Sequence, residues 1–198
     1  MVDIYQELET IKKEALNNNV PIMEDDSIDF ITDYIVKNNK YRILEIGTAV
    51  GYSAIMMALS HPDVMVTSIE RDKNRYLKAI NNIKTMHLEN RITLIFNDAL
   101  KTDIDGKYDL IIIDAAKSQN ISFFEKYEKN LEINGTVITD NLSFHGMTSK
   151  KLEEIESKNV RGLVKKINEY KEFLKKSDKY KTKFYNIGDG ISVTERRN

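Results

Sequence analysis

Short apolar runs alternate with amphipathic segments through most of the chain, and this alternation restricts the folds that the chain can adopt. The runs have the length of buried strands and cover residues 42–46, 64–69, 92–96, 108–113 and 137–139. The segments between them carry apolar residues at helical spacing, as at Tyr76, Ile80 and Ile83. Parallel strands connected by helical crossovers give this order of elements. We therefore predict an α/β fold with helices on both faces of a mostly parallel sheet.

The two ends of the chain show different patterns. Two amphipathic helical patterns precede the first strand, and a long charged helical region at 149–176 follows the fifth. The last two β-like segments, 181–186 and 191–195, flank a Gly-Asp-Gly sequence at 188–190 that is typical of a tight turn. These segments predict an antiparallel hairpin at the sheet edge, which brings the sheet to seven strands.

Length and composition limit the organisation of the chain and its surroundings. A chain of 198 residues supports one sizeable core, so we predict a single domain over 1–198 in which helices in 1–39 precede a core in 40–198. No apolar run reaches the roughly 18–20 residues of a membrane span, and residues 1–13 lack a secretory signal, which favours the cytoplasm. Because the chain has no cysteine, any metal must bind oxygen or nitrogen, and the net charge of −1 disfavours a large nonspecific polyanion-binding surface.

The clearest local motif, at residues 43–53, is an apolar strand that runs into a glycine-containing turn and then a helix. Glycine allows a tight turn and lets a ligand approach the backbone. A dinucleotide fingerprint would need glycine where Ala49 and Tyr52 stand, so a nicotinamide oxidoreductase is disfavoured. Glu45, near the end of this strand, suits the ammonium group of a methionine moiety, and its alternative role is that of a structural carboxylate.

Two further acids end the next two strands. Glu70 is placed to accept hydrogen bonds from the hydroxyls of a ribose, and Asp98 is placed to accept one from an adenine amino group. Acids at such positions also cap helices, so each alone is a weak signal. Three acids at three successive strand ends would repel a pyrophosphate but attract a cationic cofactor. This set therefore favours S-adenosylmethionine.

A second acidic group follows the fourth and fifth strands. Asp114 and Lys117 come after the fourth, and Asp140 and Asn141 come after the fifth. Carboxylate and amide oxygens at neighbouring strand ends suit Mg²⁺ or another divalent cation. A metal-bound hydroxyl loses its proton more easily, and Lys117 is a candidate to take that proton. The alternatives are that Asp140 and Asn141 only form a turn and that Lys117 is a solvated surface residue.

These motifs together resemble the class I, cation-dependent O-methyltransferases of the catechol and caffeoyl-CoA type. The resemblance covers nearly the whole chain and implies a Rossmann-like methyltransferase fold, bound S-adenosylmethionine, a divalent cation and a homodimer. The implied catalytic residues are Lys117 and Asp114, and the implied metal ligands are Asp114, Asp140 and Asn141. The implied cofactor contacts are Val20, Met23, Glu45, Gly47, Ser53, Glu70, Asp98, Ala99 and Asp114.

Within that family, the segment 20–23 and the loop 141–146 are most similar to those of bacterial tRNA 5-hydroxyuridine methyltransferases. This likeness implies that the substrate is the wobble base of a tRNA anticodon loop, which is single-stranded and can enter a pocket. Phe144 and His145 then become candidate base contacts. Basic residues beyond the loop are candidate phosphate contacts, with Arg161 the best of them; they are Lys150, Lys151, Lys158, Arg161, Lys165 and Lys166.

Other functions remain open from the sequence. A small-molecule O-methyltransferase acting on catechols or other phenols would use the same metal site. The basic residues beyond the loop would then be a solvated helix face, which glutamates interrupt. A binding module that kept the fold without catalysis is disfavoured by the presence of Asp114, Asp140 and Lys117.

Overall fold

The computed structural model describes residues 4–197, so Met1 to Asp3 and Asn198 lie outside the described part of the chain. Six α-helices are formed there, and we number them in chain order: α1 Ile4–Asn17, α2 Asp25–Lys37, α3 Tyr52–Ser60, α4 Lys73–Thr85, α5 Asn120–Tyr127 and α6 Lys158–Lys175. The strands are β1 Arg42–Ile46, β2 Met65–Glu70, β3 Ile92–Phe96, β4 Tyr108–Ile113, β5 Leu131–Thr139, β6 Tyr180–Tyr185 and β7 Ile191–Arg196. No helix in this part of the chain is long and apolar enough to cross a membrane.

All seven strands form one sheet in the order β3-β2-β1-β4-β5-β7-β6. Strands β1 to β5 run parallel to one another, whereas β7 runs antiparallel to both β5 and β6. The chain order reverses beside β1, where β2 lies on one side and β4 on the other. In open α/β sheets a ligand binds outside the carboxyl ends of the strands at such a point.

Side chains alternate between the two faces of the sheet, and each face has its own core. Ile43 and Ile112 point toward the core shared with α2 and α3, whereas Leu44 and Ile111 point toward the core shared with α5 and α6. Central strands covered on both faces need apolar residues at successive positions, and this explains the continuous apolar runs in the sequence. The predicted fold class, with its seven strands and C-terminal antiparallel hairpin, is confirmed.

Two element boundaries were predicted wrongly. The charged region does not form one helix from residue 149, because two short 3₁₀ turns precede α6, which begins at Lys158. Its N-terminus is capped by Ser157, whose side chain accepts a hydrogen bond from the Val160 amide. On α6, Val164 is fully buried, whereas its neighbour Leu163 is only partly buried.

The start of β5 was also missed, because polar residues and Gly135 interrupt its apolar pattern. The strand begins at Leu131 rather than 137, and its pairing with β4 shifts register between Tyr108 and Leu110.

Gly47 directly follows β1, and the residue that follows β4 comes very close to it. Its φ is +102°, and a Cβ built on it would lie 2.1 Å from the carbonyl oxygen of Asp114. The Gly47 amide also donates to the carbonyl of Ile69 on β2. A side chain here would separate β1 from the residue that follows β4, so the close approach of the two strand ends requires glycine.

Replacing Gly47 by alanine should therefore destabilise the fold. We expect Gly47→Ala to lower the free energy of unfolding by roughly 2–4 kcal/mol, because the added methyl group meets backbone rather than a movable side chain. The control is Gly162→Ala in α6, where a Cβ would meet nothing within 4 Å. That change should stabilise the helix by about 0.5–1 kcal/mol. Urea denaturation measures both, and equal stabilities of the two variants would contradict the steric argument.

Candidate active site

A cavity of about 310 Å³ opens at the carboxyl ends of the parallel strands. Its walls come from the segment before α2, the turn after β1, and the ends of β2, β3, β4 and β5. Many of the residues proposed from the sequence line it: Met23, Gly47, Ser53, Glu70, Asp98, Ala99, Asp114, Lys117 and Asn141. The fold therefore brings residues from six separate segments to one place.

Glu45 lies beneath this cavity and does not form part of its wall. It is fully buried, and its two carboxylate oxygens accept hydrogen bonds from Ser53 and Ser68 at 2.5 Å each. Burial raises the pKa of Glu45 to about 7, against the lowering effect of the two serine hydroxyls, and the nearby negative charges of Asp114 and Glu70 raise it further. The sequence suggested either direct contact of Glu45 with a ligand or a structural carboxylate; in the structure Glu45 does not line the cavity, and it is hydrogen-bonded to Ser53, which does.

This arrangement fixes what Ser53 can offer to a ligand. Its hydroxyl proton is used in the hydrogen bond to Glu45, so only its oxygen lone pairs are available to the cavity. A ligand group that contacts Ser53 must then be a hydrogen-bond donor. An ammonium group meets this requirement, and it would also be attracted by the buried negative charge behind Ser53.

Glu70 and Asp98 organise the turns at the ends of β2 and β3. Glu70 is 7% exposed and accepts hydrogen bonds from the Ala49 amide at 2.8 Å and the Asp72 amide at 2.7 Å. Asp98 accepts one from the Leu100 amide at 2.9 Å, at the start of a short 3₁₀ turn. Each carboxylate oxygen has a second lone pair, so both acids can still accept from a ligand in the cavity.

Asp114, Asp140 and Asn141 form a compact group beyond β4 and β5, which we call the acidic group. Nδ2 of Asn141 donates to Asp114 at 2.8 Å, and Ser27 of α2 donates to Asp140 at 3.1 Å. Asp140 is 4% exposed and lies just behind the cavity wall, whereas Asp114 and Asn141 line it.

The negative charges of the acidic group are only partly balanced by the residues that the structure describes. Burial raises the pKa of Asp140 to about 7, and the negative charge of Asp114 raises it further. Burial likewise raises the pKa of Asp114, although the positive charge of Lys117 and the Asn141 hydrogen bond oppose this effect. A cation placed between the two carboxylates would relieve their repulsion.

The donor set of the acidic group fits a hard cation such as Mg²⁺. Within residues 4–197 no three acidic, histidine or cysteine side chains converge as metal ligands. The acidic group instead offers two carboxylates and one amide oxygen, which leaves coordination positions for water and substrate. The Asn141 oxygen becomes available when its amide turns, because at present its nitrogen faces Asp114.

Lys117 stands beside the acidic group at the start of the 3₁₀ turn after β4. It lines the cavity and forms no ion pair within residues 4–197, so its ammonium group is not committed to another side chain. A group in this position can exchange a proton with a ligand held between Asp114 and Asn141.

Several residues proposed from the sequence lie away from the cavity. Val20 precedes the lining segment Pro21 to Met23, and its amide donates to the carbonyl of Ala15. Phe144 packs on the core around α5 and α6, and the side chain of His145 is exposed. Arg161 and Lys165 lie on the exposed face of α6. These five residues therefore do not contribute to the cavity wall.

Other lining residues were missed by the sequence analysis. Arg71 and Arg75 line the cavity near Glu70 and Asp98, and Tyr52 lines it beside Ser53. The signal for Arg71 was present, because it follows Glu70 directly and so must lie at the same strand end. Arg75 could not be placed from the sequence, because its position depends on α4 beginning at Lys73, which puts Arg75 in the first turn of that helix.

Comparisons with known proteins agree with this geometry. A family model described as O-methyltransferase matches residues 2–197. The crystal structure of a putative caffeoyl-CoA O-methyltransferase from Staphylococcus aureus is similar with a TM-score of 0.91 and 41% identity, covering 96% of this chain and 92% of that one. A caffeoyl-CoA O-methyltransferase from Populus kitakamiensis is 27% identical over 84% of this chain and 74% of its own.

The fold extends to more distant proteins. An O-methyltransferase from Bacillus cereus, solved in complex with S-adenosylhomocysteine, has a TM-score of 0.83 at 21% identity and covers 100% of this chain and 92% of its own. The class defined by fold and site is therefore that of the α/β methyltransferases with a Rossmann-like sheet. Within that class, the chain belongs to the O-methyltransferase family.

The raised pKa of Glu45 predicts how stability depends on pH. A carboxyl group whose pKa is raised by folding favours the folded state while it is protonated, and this contribution falls as pH rises from about 4.5 toward 7. Between pH 5 and pH 8 the wild type should lose on the order of 2 kcal/mol more stability than Glu45→Gln. Urea denaturation of the ligand-free proteins across this range measures the difference. The exposed Glu89→Gln is the control, and parallel pH curves for wild type and Glu45→Gln would reject the assignment.

Proposed function

We propose that this protein is an S-adenosylmethionine- and Mg²⁺-dependent O-methyltransferase, and that it methylates 5-hydroxyuridine at the wobble position of tRNA. The observation that carries the proposal is the position of the acidic group. Asp114 lines the same cavity as Ser53, Glu70 and Asp98, and Asp140 lies directly behind its wall. We call the acidic group the acceptor end of the cavity, and Ser53, Glu70 and Asp98 the donor end.

The donor end is supported by the chemistry of its side chains. Ser53, with Glu45 behind it, accepts hydrogen bonds from the methionine ammonium group. Glu70 accepts from the ribose hydroxyls, and Asp98 accepts from the adenine amino group. All three offer acceptors to a cationic, phosphate-free cofactor, which makes a nucleotide with a pyrophosphate the less suitable ligand.

The acceptor end would hold the metal with Asp114, Asp140 and Asn141. When bound there, Mg²⁺ supplies positive charge that lowers the pKa of a substrate hydroxyl. Nζ of Lys117, as the neutral amine, takes the hydroxyl proton and becomes an ammonium group. The oxygen then attacks the methyl carbon, so that a C–O bond forms as the C–S bond breaks and S-adenosylhomocysteine leaves. The walls of the cavity align the two reactants, which is the main requirement of such a transfer.

The substrate proposal rests on charge and on the geometry of the base. The 5-hydroxyl and the 4-carbonyl oxygen of 5-hydroxyuridine are vicinal, so they can bind one metal ion together. Beyond the loop after β5, Lys150, Lys158 and Arg161 are exposed and form no ion pair within the described residues, and are thus available for phosphates. Lys165 and Lys166 are both paired with Glu169, which makes them weaker candidates.

A small phenolic substrate is the second candidate. Two relatives are named as a caffeoyl-CoA O-methyltransferase and, from Vitis vinifera, a flavonoid 3',5'-methyltransferase. Vicinal hydroxyls of such compounds would bind the same metal. We also propose a homodimer, supported by the exposed apolar side chains of Ile4 and Leu16 on α1.

The two substrates can be separated in one assay. The protein is incubated with labelled S-adenosylmethionine and Mg²⁺, together with tRNA carrying 5-hydroxyuridine, the same tRNA carrying uridine, or catechol. We expect label only in the first tRNA; methylation of catechol alone would reject the tRNA proposal. Arg161→Ala should raise the KM for tRNA and reduce the slope of log affinity against log salt by about 1, without changing the KM for S-adenosylmethionine. Lys165→Ala, which removes a paired lysine, is the matched control.

Substitutions at the two ends of the cavity should have opposite effects. Asp114→Asn and Asp140→Asn should both abolish Mg²⁺-dependent turnover. Asp140→Asn should leave the affinity for S-adenosylhomocysteine within about threefold of wild type, because Asp140 does not line the cavity and Ser53, Glu70 and Asp98 remain in place. Glu70→Ala should weaken that affinity by at least about tenfold, since it removes hydrogen bonds to a charged acceptor. Calorimetry with S-adenosylhomocysteine and turnover assays test these expectations, and the reverse pattern would contradict the assignment of the two ends.

A further inference from the structure

The loop that follows β5, residues 141–149, has an unfavourable backbone conformation, and we call it the metal loop. Asn141, Phe144 and His145 have φ angles of 64°, 49° and 52°. Left-handed backbone is uncommon for residues with a side chain, so contacts from outside the loop must hold it in place. Asn141, one of the proposed metal ligands, is the first residue of this loop.

The turn between β6 and β7 supplies these contacts. The Asp189 carboxylate accepts a hydrogen bond from the His145 amide at 2.5 Å, and the Asp189 carbonyl accepts one from the Ser143 amide at 2.6 Å. The Leu142 amide donates to the carbonyl of Gly190 at 2.9 Å. Three amides of the metal loop are therefore bound by two consecutive residues of the turn.

The same turn also borders the other side of the acidic group. A Cβ on Gly188 would lie 2.2 Å from Oγ of Ser27, the hydroxyl that donates to Asp140. Glycine at 188 thus leaves room for the residue that orients Asp140, while Asp189 fixes the loop that carries Asn141. The turn touches the supports of two proposed ligands without lining the cavity itself.

Asp189 is unusually buried for a charged residue in a turn. It is 5% exposed, and its second carboxylate oxygen, Oδ2, has no hydrogen-bond partner within the described residues. Burying a carboxylate is costly unless its hydrogen bonds repay the desolvation. Its side chain accepts a hydrogen bond from the His145 amide, so this buried acid holds the metal loop.

We propose that Asp189 is a positioning residue for the metal site: it holds the metal loop so that Asn141 faces Asp114 and Asp140. The inference rests on the proposed metal-dependent function and adds a residue to it. Asp189 acts through the backbone of the loop and touches neither the metal nor the substrate. Groups that orient metal ligands from outside typically change metal affinity when they are removed.

Substitutions at Asp189 can separate the effect of its hydrogen-bond acceptor from the effect of its negative charge. Asp189→Asn keeps one carbonyl oxygen for the His145 amide and replaces Oδ2 by an amide nitrogen. Asp189→Leu has a similar size but no acceptor. The matched control is Asp109→Leu, because the Asp109 carboxylate also accepts from main-chain amides, those of Tyr41 at 3.2 Å and Arg42 at 2.9 Å, at the opposite end of the sheet.

The test is a Mn²⁺ titration of the full chain followed by electron paramagnetic resonance, without methyl donor. We expect Asp189→Leu to weaken Mn²⁺ affinity by roughly 10- to 100-fold, with Asp189→Asn and Asp109→Leu close to wild type. Affinity for S-adenosylhomocysteine, measured by calorimetry, should stay unchanged in all of them because its proposed contacts lie on other segments. If Asp189→Leu also lost that affinity, the smaller Asp189→Ser would replace it in the comparison.

The outcomes separate the two proposals. Wild-type protein that binds no Mn²⁺ would remove the metal-dependent function and the role of Asp189 together. Wild-type binding with an equal affinity in Asp189→Leu would overturn the role of Asp189 alone. An Asp189→Asn variant as weak as Asp189→Leu would also overturn it, because the retained oxygen should restore the loop.

Discussion

Burial of negative charge at one edge of the sheet is the constraint on which the rest of the site depends. Glu45, Asp114 and Asp140 all have pKa values raised by burial, and each lies within range of at least one other acid. In a low-dielectric setting such groups repel one another, and protons or positive ligands relieve the repulsion. In the protein without ligands, hydroxyl and amide groups donate hydrogen bonds to these carboxylates and offset part of the repulsion. A cationic cofactor at one end and a metal at the other would complete the compensation.

The sheet keeps these acids at separate strand ends while still directing them into one cavity. Neighbouring parallel strands end at the same edge, so Asp114 and Asp140 lie side by side without being adjacent in sequence. Gly47 lets the end of β1 approach Asp114 closely. A methyl donor bound beside Ser53 would then lie next to a substrate held at the acidic group. Methyl transfer requires such proximity, because the reacting oxygen must lie in line with the bond from carbon to sulfur. Geometry and electrostatics are therefore set by the same few strand ends.

The sequence was sufficient to predict features that depend on a local pattern of residues. It was not sufficient for features that depend on contacts between distant parts of the chain. Parallel strands and their polar ends follow from apolar runs, so Glu70, Asp98, Asp114 and Asn141 could be placed at a common edge before the structure was known. The sequence could not decide between a ligand contact and a structural carboxylate for Glu45, because the position of its carboxylate depends on the long-range packing that brings Ser53 and Ser68 to it.

The same limit applies to the supports of the site. Nothing local in the sequence indicates that Asp189 would bind the amide of His145, 44 residues away. The start of α6 was a different kind of error, because Ser157 is a recognisable N-cap whose signal was outweighed by the continuous charged pattern.

The proposed metal chemistry does not by itself select a substrate. Any pair of vicinal oxygens can bind one cation, so a catechol and a 5-hydroxyuridine would make the same contacts with the acidic group. Selection must therefore come from residues beyond the metal. Charges that are already paired, such as Lys165, gain little from a phosphate, because they must first give up an existing partner. Arg161 and Lys158 form no ion pair with the residues that the structure describes, and a polyanion that reached them would gain attraction without that loss. This asymmetry is the reason for proposing a nucleic acid rather than a small neutral phenol as the substrate.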